Sequence, residues 1–455
     1  MTAAAGPNDP QPGTRSTFGS RFGALMTLIG VAVGLGNVWR FPYMVGKFGG
    51  AAFVLFYVLV VIAIGVPGLM AEFALGRRTR RGPVGALAAG GLPFGRQVGW
   101  FFFFVVSAAT GYYTAVIGWV LYHGLAELAA PLGVAVRAAD ILPPDDGFSA
   151  RSFLLQLACT AAVVLACAAV LLKGLRGGTE RASKILMPML LVILLVLIAR
   201  VLTLDGAMEG VRWYILKLRF EDINPRVVLA ALGQAIFSLS LGGTFMVVYG
   251  SYLSASEDLL GNALWTAVGD TTAGLLAGLA IIPAVIVLGL EPSSGPSLLF
   301  TTLPQVFAAI PLGWLFGLLF FFGLFGAAYL SDVAALEVLV AGLTDNTRLT
   351  RRRAVWLMSA VVFVLSIPPS INNRIFIPWD LTFGSGMQTL GALVAVVTVG
   401  WCMNRSSALA ELSSQGAHPV PGWLYYWIRF GIPTAIIAVG AWWVATSLLG
   451  VAAGV

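Results

Sequence analysis

Charge is what this chain has least of. Only 10% of its 455 residues are charged, where soluble domains carry roughly 25%, and that deficit excludes an ordinary water-soluble fold. Histidine is scarcer still. The two present, His123 and His418, are too far apart for a metal cluster or a proton relay. The three cysteines, Cys159, Cys167 and Cys402, lie inside apolar stretches. There they read as small apolar side chains rather than disulfide partners or metal ligands. No Ser/His/Asp constellation, Walker loop or dinucleotide fingerprint occurs, and Gly34-Leu35-Gly36 opens no strand-to-helix turn. An enzyme is not expected.

Apolar residues are abundant instead, at 58% of the chain. Runs of about 20 apolar residues, each long enough to cross a bilayer, are expected at 22–46, 51–75, 97–127, 153–172, 185–204, 227–253, 262–290, 312–341, 355–370, 375–402 and 423–449. The reading is an all-α integral membrane protein of about eleven transmembrane helices. Residues 1–20, rich in Pro, Gly, Thr and Ser, are expected to form a disordered cytoplasmic tail, with no cleavable signal peptide. The net charge of +7 does not mark a nucleic-acid partner. Its clusters, Arg77/Arg78/Arg80/Arg81, Lys173/Arg176/Arg181/Lys184 and Arg348/Arg351/Arg352/Arg353, all fall on one face if the N-terminus is cytoplasmic. Eleven spans then leave the C-terminus outside, in a plasma membrane of bacterial type. The partner implied is the lipid bilayer.

The first run contains Gly30-Val31-Ala32-Val33-Gly34-Leu35-Gly36-Asn37-Val38-Trp39-Arg40-Phe41-Pro42. Three glycines lower helix propensity there, and Pro42 restricts the exit. Two readings stand even on this motif alone: close helix packing, or a helix broken at mid-membrane. Non-helical backbone at that depth survives only where protein buries it or a cavity borders it, and freed carbonyls can then hold a cation. A second interruption, Gly233-Gln234-Ala235-Ile236-Phe237-Ser238-Leu239-Ser240-Leu241-Gly242-Gly243-Thr244, falls five spans later. Matching breaks in two halves predict an inverted repeat. Residues 21–204 form the first five-helix repeat and 205–404 the second, with broken helices 1 and 6; residues 405–455 are a loop and a peripheral eleventh helix.

Further motifs are Gly65-Val66-Pro67 with Glu72 and Gly76-Arg77, Tyr112-Tyr113, Glu180-Arg181 with Lys184 and Met187-Pro188, Ser251-Tyr252 and Thr302-Leu303-Pro304. In all of these the chain resembles the neurotransmitter:sodium symporters over about residues 15–430. The resemblance implies coupled uptake of an amino acid or amine by alternating access. It assigns the substrate's ammonium to the carbonyls of Ala32, Phe237 and Ser238 and the Ser240 hydroxyl. The carboxylate would face the Tyr113 hydroxyl, the amides near Leu35 and Gly36, and a sodium ion. Monoamine transporters of the family carry an aspartate where Gly34 stands, so Gly34 implies an α-amino acid. The side-chain pocket would comprise Ala109, Tyr113, Phe237, Gly243, Ser331 and Ala335. At Ala109, Gly243 and Ala335 a leucine-transporting member has valine, phenylalanine and isoleucine, which implies a bulky apolar or aromatic substrate here.

The resemblance also implies a first sodium site of Ala32, Asn37, Ser238, Asp270 and the substrate carboxylate. Tyr57 and Gln234 match the family's chloride neighbourhood, but the Asp270 charge replaces the anion, so chloride is not expected to be required. A second sodium site would take the carbonyls of Gly30, Val33 and Ala327 and the Ser331 hydroxyl. There Leu330 stands where the family has an oxygen-bearing side chain, which leaves that site open, and Asp332 next to it could carry a proton instead. Gates are assigned to Arg40 with Asp380, and to Arg15 with Asp345, with Phe18 and Tyr252 around the latter. The leading expectation is a sodium-coupled symporter of a neutral L-amino acid. Its rivals are a proton-coupled or exchange transporter on the same fold, and, remotely, a channel or transport-inert sensor. The sequence sets no oligomeric state.

Overall fold

Ser20 heads the first apolar run, and its hydroxyl accepts the Gly23 amide at 3.1 Å, satisfying one donor that every helix start leaves free. The helix it caps, α1 (Arg21–Ala32), stops at Val33, whose backbone is extended. A second piece, α2 (Gly36–Lys47), leaves at 55° to the first. The computed structural model describes residues 16–133, 137, 140–218, 220–242, 244–290, 298–416 and 418–445. Arg15 and Gly243 lie outside the described residues. The later long elements are α3 (Ala51–Thr79), α4 (Gly95–Leu132), α5 (Ala150–Leu171), α6 (Leu175–Val201), α7 (Pro225–Ser238), α8 (Phe245–Gly250), α9 (Leu259–Val287), α10 (Leu298–Ala309), α11 (Gly313–Asn346), α12 (Arg351–Ser370), α13 (Asn373–Cys402) and α14 (Trp423–Trp442). The described residues include no strand.

Nine of these helices are long and apolar enough to cross a membrane, or up to ten if the bent pair α1–α2 is one span. The expected count of eleven differs at 227–253. That run folds as α7, of 14 residues, and α8, of 6, and neither piece is long enough alone. The reason is local. Ser240, Gly242 and Thr244 hold φ of +52°, +95° and +58°, a left-handed region that no helix passes through.

The helices bury one another and face outward with bare hydrocarbon. Phe101 and Phe104 of α4, Leu154 of α5, Val192 of α6 and Trp265 of α9 are exposed, as suits side chains whose solvent is lipid. Helices α4 and α11 pack along each other, while α1 packs against α6, α9 and α11. Residues 16–20, assigned to the tail by composition, are tied down. The Gly19 amide donates to Glu180 Oε2 at 2.8 Å, and Arg176 Nε donates to the Thr17 carbonyl at 2.8 Å.

Small residues let backbones meet where the broken helix crosses α3. A Cβ on Gly76 would overlap the Val247 carbonyl, and one on Gly250 would overlap the Phe73 backbone. Such contacts replace the hydrophobic drive that lipid removes. Gly76→Ala is therefore expected to destabilise the bundle by about 1–3 kcal/mol, the cost of overpacking. The measurement is the melting temperature of the detergent-solubilised protein. An unchanged value would show that α3 and α8 can part freely.

Candidate substrate and cation site

Both interruptions come together at the centre of the bundle, and side chains from other helices pair the backbone they free. Ser240 Oγ donates to the Val31 carbonyl at 3.0 Å. Ser331 Oγ, from α11, lies 2.9 Å from the Val33 carbonyl and 3.4 Å from that of Val31. Gln234 Nε2 donates to the Gly36 carbonyl at 3.1 Å, and the Leu35 amide donates to the Tyr113 hydroxyl at 3.1 Å. On the other break, the Gly242 amide donates to Glu72 Oε1 at 2.8 Å. Gly34 has no room for a side chain, since a Cβ there would press on the Tyr113 and Ser331 hydroxyls.

Beside this junction lies a buried oxygen cluster. Asn37 Oδ1 accepts the Gly34 amide at 2.9 Å, while its Nδ2 reaches Asp270 Oδ1 at 2.6 Å and Ser238 Oγ at 3.0 Å. Asp270 Oδ2 accepts from Ser238 Oγ at 2.8 Å and from the Tyr57 hydroxyl at 3.2 Å. Asn37 and Asp270 are fully buried. An acid at membrane depth costs roughly 2.5–3.5 kcal/mol on insertion scales, and three neutral donors offset part of that. The set is one carboxylate with amide and hydroxyl oxygens, and no group of three or more His, Cys, Asp or Glu gathers among the described residues. Hard oxygens of this kind fit an alkali cation and not a soft transition metal.

The neighbourhood assigned to a second cation is drier. Ser331 Oγ also lies 3.5 Å from the Gly30 carbonyl, and Ala327 is buried one turn away on α11. Leu330, however, lays its side chain against Gly30, so methyl groups stand where an oxygen is expected. Asp332 turns elsewhere. Its carboxylate accepts from Thr114 Oγ1 at 2.9 and 3.1 Å and lies 3.5 Å from Cys167 Sγ.

A cavity opens between the two breaks. It is bordered by Ala32, Gly34, Gly36, Ala109, Tyr113, Phe237, Ser238, Ser240, Ser331 and Ala335, all assigned from the sequence. Val31, Thr110, Tyr112, Phe245 and Gln388 border it too and were not assigned. Val31 and Tyr112 lie in motifs already singled out, and Gln388 is a lone amide in the apolar run 375–402, signals that sequence reading could have used.

At one end of the cavity the Arg40 guanidinium stacks over the Phe237 ring, 4.3 Å from its centroid. It lies in the field of Asp380 and the Tyr112 hydroxyl, but Arg40 and Asp380 are not at ion-pair distance among the described residues. Phe18, assigned from the sequence to the second gate, meets Tyr252 edge-on, with centroids 6.2 Å apart. The Tyr252 hydroxyl donates to Glu337 at 2.6 Å, and Arg351 pairs with the same carboxylate at 2.6 Å. Asp345 accepts the Gly82 amide.

The description "Sodium:neurotransmitter symporter family" matches residues 15–136 and 150–446. The uncharacterized sodium-dependent transporter YhdH of Bacillus subtilis is 33% identical over 93% of this chain and 96% of its own length. An uncharacterized sodium-dependent transporter of Haemophilus influenzae is 31% identical over 93% and 97%. Among solved structures, MhsT in complex with L-phenylalanine superposes with a TM-score of 0.82 at 34% identity, covering 94% of this chain and 99% of MhsT. A match spanning nearly the whole membrane domain, including both broken helices, establishes that this multi-pass membrane protein belongs to the sodium:neurotransmitter symporter family.

Proposed function

We propose that the chain couples inward movement of sodium to uptake of a neutral, bulky apolar or aromatic L-amino acid. The observation that carries this is the buried Asn37–Ser238–Asp270 cluster beside a cavity bordered by Gly34 and two helix breaks. A zwitterion needs acceptors for its ammonium, and the helix-terminal carbonyls of Ala32, Phe237 and Ser238 with the Ser240 hydroxyl supply them without burying another charge. Its carboxylate needs donors and a cation. Tyr113, the amides of Leu35 and Gly36, and sodium held by Ala32, Asn37, Ser238 and Asp270 fill those roles. With the substrate carboxylate as a sodium ligand, each binds more tightly in the presence of the other.

The substrate class is supported by the small side chains at Ala109 and Ala335, by Gly243 in the sequence, and by the phenylalanine bound to MhsT. Asp270 supplies the negative charge that chloride brings elsewhere in the family, so replacing chloride leaves uptake unchanged. We read 21–204 and 205–404 as inverted halves that rock about the site, with the N-terminus cytoplasmic and the C-terminus outside. Arg40 and Asp380 close one side of the cavity and Arg15 and Asp345 the other, Phe18 and Tyr252 packing around the latter.

Three outcomes are expected in proteoliposomes. Asp270→Ala is expected to weaken sodium activation of uptake by ~100-fold, about 2.7 kcal/mol, with the protein still inserted. Sodium activation that survives the change would remove the first site from the account. Leu330→Thr returns a hydroxyl beside Gly30, Val33, Ala327 and Ser331, and sodium activation is expected to tighten by roughly tenfold and to steepen. If only Asp332→Asn alters transport, and does so through its pH profile, proton coupling is the better account. Ala335→Ile refills the side-chain pocket, and is expected to shift preference from aromatic substrates toward leucine and smaller ones by roughly 10–100-fold. An unmodified protein that binds glycine tightly and excludes tryptophan would contradict the pocket assignment.

A further inference from the structure

Among the residues bordering the central cavity, Gln388 has no role in the account above. It sits on α13 and borders two spaces at once, the central cavity and the wider apolar one between α7, α13 and α14. Its position against the second break is tightly set by backbone. A Cβ on Gly242 would overlap the Gln388 carbonyl, and one on Gly391 would overlap the Gly242 carbonyl. With two glycines in direct backbone contact, α13 has little freedom to slide, and Gln388 stays at the cavity wall.

The polar groups around it are spoken for. Tyr113, Ser240 and Ser331 engage the backbone of the first break, and Ser238 engages Asp270. Thr110 turns its hydroxyl back to the Val106 carbonyl at 2.7 Å. The Gln388 side-chain amide makes no hydrogen bond with another described residue. Of the cavity's other contributions away from the broken backbone, Ala109, Phe245 and Ala335 are apolar, and the Tyr112 hydroxyl is taken up by Asp380. A substrate side chain entering this space strips water from the amide, and a buried amide left unpaired is penalised. A ligand that carries its own hydrogen-bonding group avoids that penalty, and sites of this kind reject analogues lacking the group.

We propose that Gln388 is a specificity-determining residue that favours aromatic amino acids with a hydrogen-bonding group on the ring, tyrosine and tryptophan, over phenylalanine. The inference rests on the amino-acid symport reading and sharpens it. The test is competition of unlabelled amino acids against sodium-dependent uptake of labelled phenylalanine by the full chain in proteoliposomes. Tyrosine, which differs from phenylalanine by one hydroxyl, is expected to bind about tenfold more tightly than phenylalanine in the unmodified protein. In Gln388→Met that advantage is expected to disappear while phenylalanine uptake and sodium activation persist. Equal or reversed affinities in the unmodified protein overturn the proposal, and this arm stands even if the variant fails to reach the membrane. An undiminished tyrosine advantage in a variant that still transports phenylalanine overturns it too. Absence of sodium-dependent uptake of any amino acid by the unmodified protein is a different result, which removes the symport reading and this inference with it.

Discussion

Backbone groups cannot be left unpaired at membrane depth, where each costs several kcal/mol, and two helices here are broken at that depth. The rest of the centre follows from that constraint. Val31 and Val33 carbonyls are met by Ser240 and Ser331, the Gly36 carbonyl by Gln234, the Leu35 amide by Tyr113, and the Gly242 amide by Glu72. Helices α3, α4, α7 and α11 are thus held to the breaks by the side chains that satisfy them. The same groups border the cavity, so the elements that make the interruption tolerable also shape the space a ligand would enter.

The two regions that resemblance marks for cations have different chemistry. The Asp270 carboxylate is clasped by three donors, from Asn37, Ser238 and Tyr57. Around Gly30 the Ser331 hydroxyl lies 3.5 Å from the glycine carbonyl, the Ser183 hydroxyl stands on its Cα side, and Leu330 covers the glycine with methyl groups. The nearby acid, Asp332, faces Thr114 and Cys167.

Most of the membrane architecture was legible because apolar run length is a strong signal, and the breaks were legible because glycine, serine and proline interrupt those runs. The run at 227–253 fell short of a continuous span because three consecutive even positions, Ser240, Gly242 and Thr244, take left-handed backbone, a property composition alone does not specify. Ten of the cavity residues were assigned by the family resemblance. Phe245 and Gln388 were not, because they reach the cavity only through tertiary placement: one just past the second break, the other on a helix seated by the Gly242–Gly391 contact. Arg40 and Asp380 were paired by resemblance, whereas the guanidinium stacks on Phe237, an arrangement that depends on where α7 ends.

The central claim is that one sodium ion and the substrate carboxylate share a site. Equilibrium binding to purified protein tests it most directly: amino-acid affinity across a sodium series, and sodium affinity with and without the amino acid. Linkage requires that each ligand tighten the other by the same factor, and the account predicts a common factor well above one. Affinities that are independent of each other would contradict it.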